Sequence, residues 1–231
     1  MPNRFEIYQK DPQIYDLLIS REDYQQVIPK TLSSIRDFQD LDVADIGAGT
    51  GRLSRLIAPK VHSLILTDSS ESMLKIAAMR LKEAGFTNFQ THVCDFTRIP
   101  ADDSSLDVVV EGWALCTNAL RHSSWQEMLR KSFAEMRRVL RDNGTIILFE
   151  TLGTGQEFPT PPNDWFENLY SVLENEYEFM HTSIRTDYKF LSLEEKNQLL
   201  TFFFDTEMLD AGVKNDKLIY PECTGVWWRN I

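Results

Sequence analysis

The chain has 231 residues, 42% of them hydrophobic and 11% aromatic, enough apolar material for one α/β domain with a buried core and too much for a disordered segment. Its 35 Asp and Glu against 24 Lys and Arg leave a net charge of −11, a balance that repels a phosphate backbone and argues against a nucleic-acid partner. Cys94, Cys116 and Cys223 are odd in number and widely spaced, the start Met-Pro-Asn-Arg-Phe-Glu-Ile-Tyr lacks a signal pattern, and no apolar run is long enough to cross a bilayer; the expectation is a cytoplasmic protein with no disulfide framework, no metal and no membrane segment.

In chain order, residues 1–40 read as a helical lead-in. Asp11-Pro12 marks a break, and Tyr15, Leu18, Val27, Ile28, Leu32 and Ile35 recur near helical spacing. Leu41–Ile46 is a short apolar run that ends in glycines, so a strand and then a turn. Arg52–Ala58 puts Leu53, Leu56 and Ile57 on one helical face. Leu64–Thr67 reads as a second strand, ending at Asp68. Ser70–Ala84 is a helix with a serine cap at its start, a stripe of Met73, Leu74, Ala77 and Leu81, and Gly85 at its end. Phe89–Val93 is a third strand, ending at Cys94-Asp95, and Leu106–Val110 a fourth, apolar throughout as expected when helices cover both faces. Trp125–Leu140 is amphipathic, Asp142-Asn143-Gly144 is a turn signal, and Thr145–Phe149 is a fifth strand. This alternation predicts a parallel sheet with right-handed crossovers.

After Glu150 the texture changes. Gly153, Gly155, Pro159, Pro161 and Pro162 make an irregular connection, and Trp165–Tyr177 is a helix rich in aromatics and acids. Ser183–Phe190 reads as a strand, Leu193–Phe203 as a helix and Leu218–Trp228 as a late strand. No linker divides the chain. We therefore read 1–231 as one domain: lead-in 1–40, core 41–150, an insertion or lid over 151–190, and a helix and strand at 191–231 that complete the sheet.

Ligands of a doubly wound sheet bind beyond the carboxyl ends of its strands. Four successive strands end near an acid: Asp45, Asp68, Asp95 and Glu111. The loop Gly47-Ala48-Gly49-Thr50-Gly51 lets backbone approach a ligand, and the helix that starts near Arg52 offers free N–H groups. A dinucleotide fingerprint needs glycine where Arg52 stands, so it fails. Asp68 follows the second strand about 20 residues after the first glycine, the spacing of a carboxylate that accepts both hydroxyls of a ribose.

These motifs resemble those of the class I S-adenosylmethionine-dependent methyltransferases. Val43-Ala44-Asp45-Ile46-Gly47-Ala48-Gly49-Thr50-Gly51 looks like the family's first motif, Asp68 to Leu74 its second, Cys94-Asp95-Phe96 its third, and Leu106 to Glu111 its fourth-strand motif. Glu135 to Thr145 is similar to the segment before strand five, with Asp142-Asn143-Gly144 in place of the usual Pro-Gly. The match runs through residues 41–150 and is nearest the ubiquinone/menaquinone-biosynthesis-like (methyltransferase type 11) group. It implies a Rossmann-like three-layer α/β sandwich whose mostly parallel seven-stranded sheet has the order 3-2-1-4-5-7-6, with helices on both faces.

The resemblance also implies S-adenosylmethionine as cofactor, S-adenosylhomocysteine as product and a small-molecule methyl acceptor. Asp45 and the loop of Gly47, Ala48, Gly49 and Gly51 would meet the methionine part, and Asp68 the ribose. Ser69 and Met73 would line the adenine, Asp95 and the Phe96 backbone would meet its edge, and Glu111 and Gly112 would lie by the amino group. No catalytic residue carries over. His122 is a candidate base or an ordinary polar helix-start residue. Tyr15, Trp113, Trp165 and Tyr170 are candidates for the acceptor pocket, with core packing as the competing account. The Asn/Asp-Pro-Pro-aromatic motif of amino-group methylation of DNA bases and glutamine is absent; that place reads Glu111-Gly112-Trp113-Ala114. A protein side chain as acceptor, and a cofactor-binding regulatory module without turnover, remain alternatives, and monomer and homodimer are both open.

Overall fold

The computed structural model describes residues 4–204 and 217–231; the parts of the expected lead-in and C-terminal unit at 1–3 and 205–216 lie outside the described residues. The order is α1 (Arg4–Lys10), α2 (Pro12–Ile19), α3 (Val27–Ile35), β1 (Asp42–Ile46), α4 (Arg52–Ile57), β2 (Ser63–Asp68), α5 (Glu71–Glu83), β3 (Phe89–Val93) and β4 (Leu106–Gly112). Then come α6 (Leu115–Ala119), α7 (Trp125–Val139), β5 (Leu140–Thr154), α8 (Asp164–Asn175), β6 (Met180–Arg185), β7 (Tyr188–Lys189), α9 (Leu193–Phe203), β8 (Ile219–Tyr220) and β9 (Glu222–Asn230).

Strands β3-β2-β1-β4-β5-β9-β6 form one seven-stranded sheet. Counted within that sheet alone, the order is the expected 3-2-1-4-5-7-6. β1 to β5 pair in parallel, and β9 runs antiparallel to both β5 and β6. Side chains alternate across the sheet. Val109, Ile146 and Leu148 enter one apolar cluster with Met128, Leu129, Met136, Leu169 and Trp227. Val108, Val110, Ile147 and Phe149 enter the other, with Ile28, Leu53, Ile57, Leu74 and Ala77. Burial on both faces, at about 1.5–3 kcal/mol for each large apolar side chain, makes the central strands read as unbroken apolar runs.

Several boundaries differ from the sequence reading for local reasons. The expected strand 183–190 is two strands: β6 leaves the main sheet at Arg185, and β7 pairs with β8 in a separate two-stranded sheet. The expected strand 218–228 is likewise split at Pro221, which has no N–H to donate to a ladder. The Asp142-Asn143-Gly144 signal makes a bulge inside β5, where the partners of β4 jump from Leu140 to Thr145 and Asn143 takes φ 66°. The short helix α6 has no amphipathic period to announce it. α8 begins at a cap: the Asn163 side chain accepts from the N–H groups of Trp165 and Phe166.

The aromatics of the expected lid do not act alike. Trp165, Phe166, Tyr170, Tyr177 and Phe179 pack with Trp125, Phe133 and Trp227 in the layer beside the sheet, the first three turned to that face by the helical spacing of α8. Phe158 is 78% exposed. Tyr188 joins Leu18, Phe190, Leu200, Phe204 and Tyr220 in a third cluster that ties the lead-in to α9 and the small sheet.

Candidate active site

The first wall is the β1–α4 loop. Gly47, Gly49 and Gly51 have φ of 67°, 55° and 81°, a region that glycine enters without strain. A Cβ on Gly47 would lie 2.5 Å from the Ala114 Cβ and 3.0 Å from the Phe96 ring, so the missing side chain is what keeps a gap between two loops. Asp68 ends β2 beside this loop. One carboxylate oxygen accepts from the Gly49 N–H at 2.9 Å and the other from the Ser70 N–H at 2.8 Å, and the net effect of burial is to raise its pKa. Ser70 in turn caps α5 through the Met73 N–H and donates to the Tyr8 carbonyl, which brings the lead-in over the cleft.

The second wall comes from the ends of β3 and β4. Asp95 is exposed; its carboxylate accepts from the hydroxyl and N–H of Thr97, which lower its pKa. Glu111 turns away from the cleft: its Oε1 accepts from the N–H groups of Ala114 and Leu115 and so caps α6, while its Oε2 is buried without a partner. Burial, and then the neighbouring Glu150 charge, push Glu111 well up. Asp45 accepts from the Ser54 hydroxyl beneath the loop, and burial pushes it up to about 7.

Beyond this cleft, which holds about 100 Å³, opens a cavity of about 840 Å³. Tyr8, Tyr15, Trp113, Thr117 and Arg121 line both spaces, so they form the passage between them. The cavity is within the size range of small-molecule sites. Glu22, Glu150 and Glu222 reach its wall from three distant parts of the chain. Arg52, whose place defeats the dinucleotide pattern, pairs with Glu22 at 2.6 Å and lies 3.6 Å over the Trp113 ring.

Of the residues expected at the cofactor, Gly47, Gly49, Asp68, Ser69, Met73, Asp95, Phe96 and Gly112 come together around the cleft. Asp45, Ala48, Gly51 and Glu111 sit behind it and do not line it. Tyr15 and Trp113 line both spaces, but Trp165 and Tyr170 line neither. Trp165 packs edge-on against Trp125, and Tyr170 stacks on Trp227 and donates to the Thr151 carbonyl, so both belong to the core. His122 is exposed in the turn after α6 and lines neither space. Glu150 was missed although it follows the expected fifth strand, Thr145–Phe149, much as the acids stand near the ends of the first four; β5 itself runs on to Thr154. Glu22 and Glu222 carried no local signal, since only the fold brings α2 and β9 together. Among the described residues no group of side chains could hold a metal ion, and no helix is long and apolar enough to cross a membrane.

The residues fit S-adenosylmethionine in their chemistry: a glycine cradle without side chains, a half-buried carboxylate at Asp68, an exposed carboxylate at Asp95, and buried acids behind the loop able to balance positive charge. A methyltransferase-domain family matches residues 43–144. The chain is 29% identical over 158 residues to the ubiquinone/menaquinone biosynthesis C-methyltransferase UbiE of Bordetella avium, covering 63% of this chain and 57% of that protein. It is 30% identical over 108 residues to the uncharacterized methyltransferase YcgJ of Bacillus subtilis, covering 47% of this chain and 40% of that one. It thus spans 40% to 57% of the length of these curated relatives. Among solved structures, YcgJ aligns with a TM-score of 0.59 at 15% identity over 90% of this chain and 98% of its own. A SAM-dependent methyltransferase from Aquifex aeolicus aligns with a TM-score of 0.57 at 16% identity over 95% and 98%. The order of the sheet, the cleft at the ends of its strands and the family match agree: residues 43–144 match a methyltransferase domain, and the chain is similar to the UbiE methyltransferases.

Proposed function

We propose that this protein transfers a methyl group from S-adenosylmethionine to a small organic acceptor held in the 840 Å³ cavity. The observation that carries this reading is the continuity of the two spaces, with Asp68 in one and the passage of Tyr15, Trp113 and Thr117 opening on the other. When bound, S-adenosylmethionine supplies a methyl on a sulfonium, whose departure as a neutral thioether is favourable. What the chain must then do is hold the acceptor in line with that methyl and keep water out. In this reading Asp68 accepts from the ribose hydroxyls and Asp95 from the adenine amine. Met73, Ser69 and Phe96 flank the ring, and the glycine loop and Gly112 meet the methionine part. Asp45 and Glu111 supply negative charge from behind.

The size of the cavity, about 840 Å³, supports a small-molecule acceptor. Three free cysteines, Cys94, Cys116 and Cys223, support a reducing compartment such as the cytoplasm. Calorimetry with S-adenosylmethionine and S-adenosylhomocysteine tests the reading: a folded sample that binds neither refutes it. Binding without transfer to any of a broad set of small acceptors would instead favour a regulatory module. Asp68→Ala is expected to weaken S-adenosylhomocysteine binding by at least about tenfold, the value of one charge-assisted hydrogen bond, with the far-UV circular dichroism unchanged; normal affinity would remove Asp68 from the ribose.

A further inference from the structure

We propose that the acceptor is an amine, held as a cation in the cavity whose wall Glu22, Glu150 and Glu222 reach; this rests on the methyltransferase reading. The three carboxylates are 8%, 2% and 3% exposed. Glu22 is taken up by Arg52, whose guanidinium also lies on Trp113, so that pair adds no net charge. Glu150 and Glu222 have no basic partner in the described structure. Glu150 accepts from the Cys116 N–H at 2.7 Å, and Glu222 Oε1 from the hydroxyls of Thr151 and Thr154, both at 3.2 Å. Glu222 Oε2 is buried and has no hydrogen-bond partner among the described residues. A buried carboxylate in this position is strongly unfavourable unless a proton or a cation neutralises it. Without a ligand, the proton does so: burial first, and the Glu22 charge second, push Glu222 well up.

The walls point to the same ligand charge. Tyr15, Trp113, Tyr188, Phe203 and Phe204 border the cavity, and aromatic faces attract cations. Tyr15 meets Phe203 at 5.2 Å and Tyr188 meets Phe204 at 6.3 Å between ring centres, which builds an aromatic enclosure rather than scattered rings. A carboxylate or phosphate acceptor would face three acids, against Arg52, already paired, and Arg121, exposed at the passage. A neutral apolar acceptor would leave Glu222 Oε2 without a hydrogen-bond partner among the described residues.

Amine chemistry also gives Glu150 a role. An ammonium has no lone pair, so one N–H bond must break before attack. Glu150, on the cavity wall and pushed up by burial to about 7, takes that proton and forms an O–H bond. The freed nitrogen pair then forms the N–CH3 bond as the S–CH3 bond breaks, and the electron pair of that bond stays on sulfur. The N-methyl ammonium product keeps the positive charge of the substrate, and Glu150 returns its proton to solvent.

The test uses the full chain saturated with S-adenosylhomocysteine and probes matched in shape but not in charge. One set is choline, 3,3-dimethylbutanol and 3,3-dimethylbutyrate; another is phenethylamine, 2-phenylethanol and phenylacetate. Calorimetry is expected to give the cation at least about tenfold tighter binding than its neutral twin in at least one set, the size of a charged hydrogen bond. Glu222→Gln should reduce that preference to within about twofold, and Glu222→Asp should restore much of it, with S-adenosylhomocysteine binding as the check on folding in both. Labelled S-adenosylmethionine should yield N-methylated product from phenethylamine and none from 2-phenylethanol. Equal or tighter binding of the neutral or anionic members, or no binding of any cation, overturns the amine assignment while S-adenosylhomocysteine still binds. Failure of S-adenosylhomocysteine to bind overturns the methyltransferase reading and the amine with it.

Discussion

Gly47 shows what one missing methyl group does at this site. Its φ of 67° already favours glycine, and a Cβ would press on Ala114 at 2.5 Å and on Phe96 at 3.0 Å. Gly47→Ala must therefore strain the backbone and push the β4–α6 loop outward, at a cost of about 1–3 kcal/mol. S-adenosylhomocysteine affinity is expected to fall at least about tenfold, since the cleft deforms by a methyl diameter; titration calorimetry would read it, and an unchanged affinity would move the cofactor elsewhere. Asp68 was legible beforehand because it ends a strand at a fixed distance from the loop. Glu111, chosen by the same rule, proves to cap α6 from behind. Strand-end position tells which acids lie near the cleft, but the side-chain rotamer decides whether each faces ligand or backbone. Glu22 and Glu222 show the opposite limit: their meeting depends on the lead-in and the antiparallel strand, and no short-range pattern encodes it.

Elements that carry their own period were readable. α9 spans Leu193–Phe203 as expected, with Ser192 found to cap its start, and β3 falls on Phe89–Val93 as expected. Elements made by tertiary contact were not: α6 exists because Glu111 caps it, and β7 and β8 exist because they pair with each other. The aromatic helix α8 was ambiguous because lid and core use the same residues, and its neighbours decide the matter. Trp227 is the centre of that packing, stacked on Tyr170 and on His181, both at 4.5 Å. Its ring lies over Gly225, where a Cβ would be 2.2 Å from an indole carbon. Gly225→Ala is expected to displace the indole and destabilise the protein by about 2 kcal/mol or more, an overpacking cost, visible as a lower urea midpoint with an unchanged slope. Asn163→Ala removes the cap of α8 and is expected to cost about 1 kcal/mol, since the N–H groups of Trp165 and Phe166 lose their acceptor; an unaltered midpoint would show that solvent replaces the cap without loss.

At the scale of the molecule, the acids fall into two groups with opposite effects on stability. Asp42 is held at about 2, and Glu135 and Glu195 are lowered, by hydrogen bonds and charges from His62, Arg138, Arg141 and Arg21. Their stabilisation is present above the ordinary carboxylate range and is lost as pH falls through the lowered values. Around the ligand spaces the sign reverses. Burial raises Asp45 and Glu150 to about 7, and raises Asp68, Glu111 and Glu222 as well. For these the folded state keeps protons that the unfolded chain gives up from about pH 4 upward. Their contribution is therefore full below that pH and is lost as pH rises through the raised values. Without ligand, the protein is expected to be most stable near about pH 4, where the two ranges meet, and its melting temperature to decline through pH 5 toward pH 8. S-adenosylmethionine brings an ammonium and a sulfonium to the acids behind the loop and favours their charged forms. Its stabilising shift should then be larger at pH 8 than at pH 5, so the ligand-bound curve is flatter than the free one. Scanning calorimetry from pH 4 to 9, with and without saturating S-adenosylmethionine, reads both curves. A free protein more stable at pH 8 than at pH 5 would mean that the buried acids around the cleft are already compensated by the chain itself, and that their charge is not reserved for a cationic ligand.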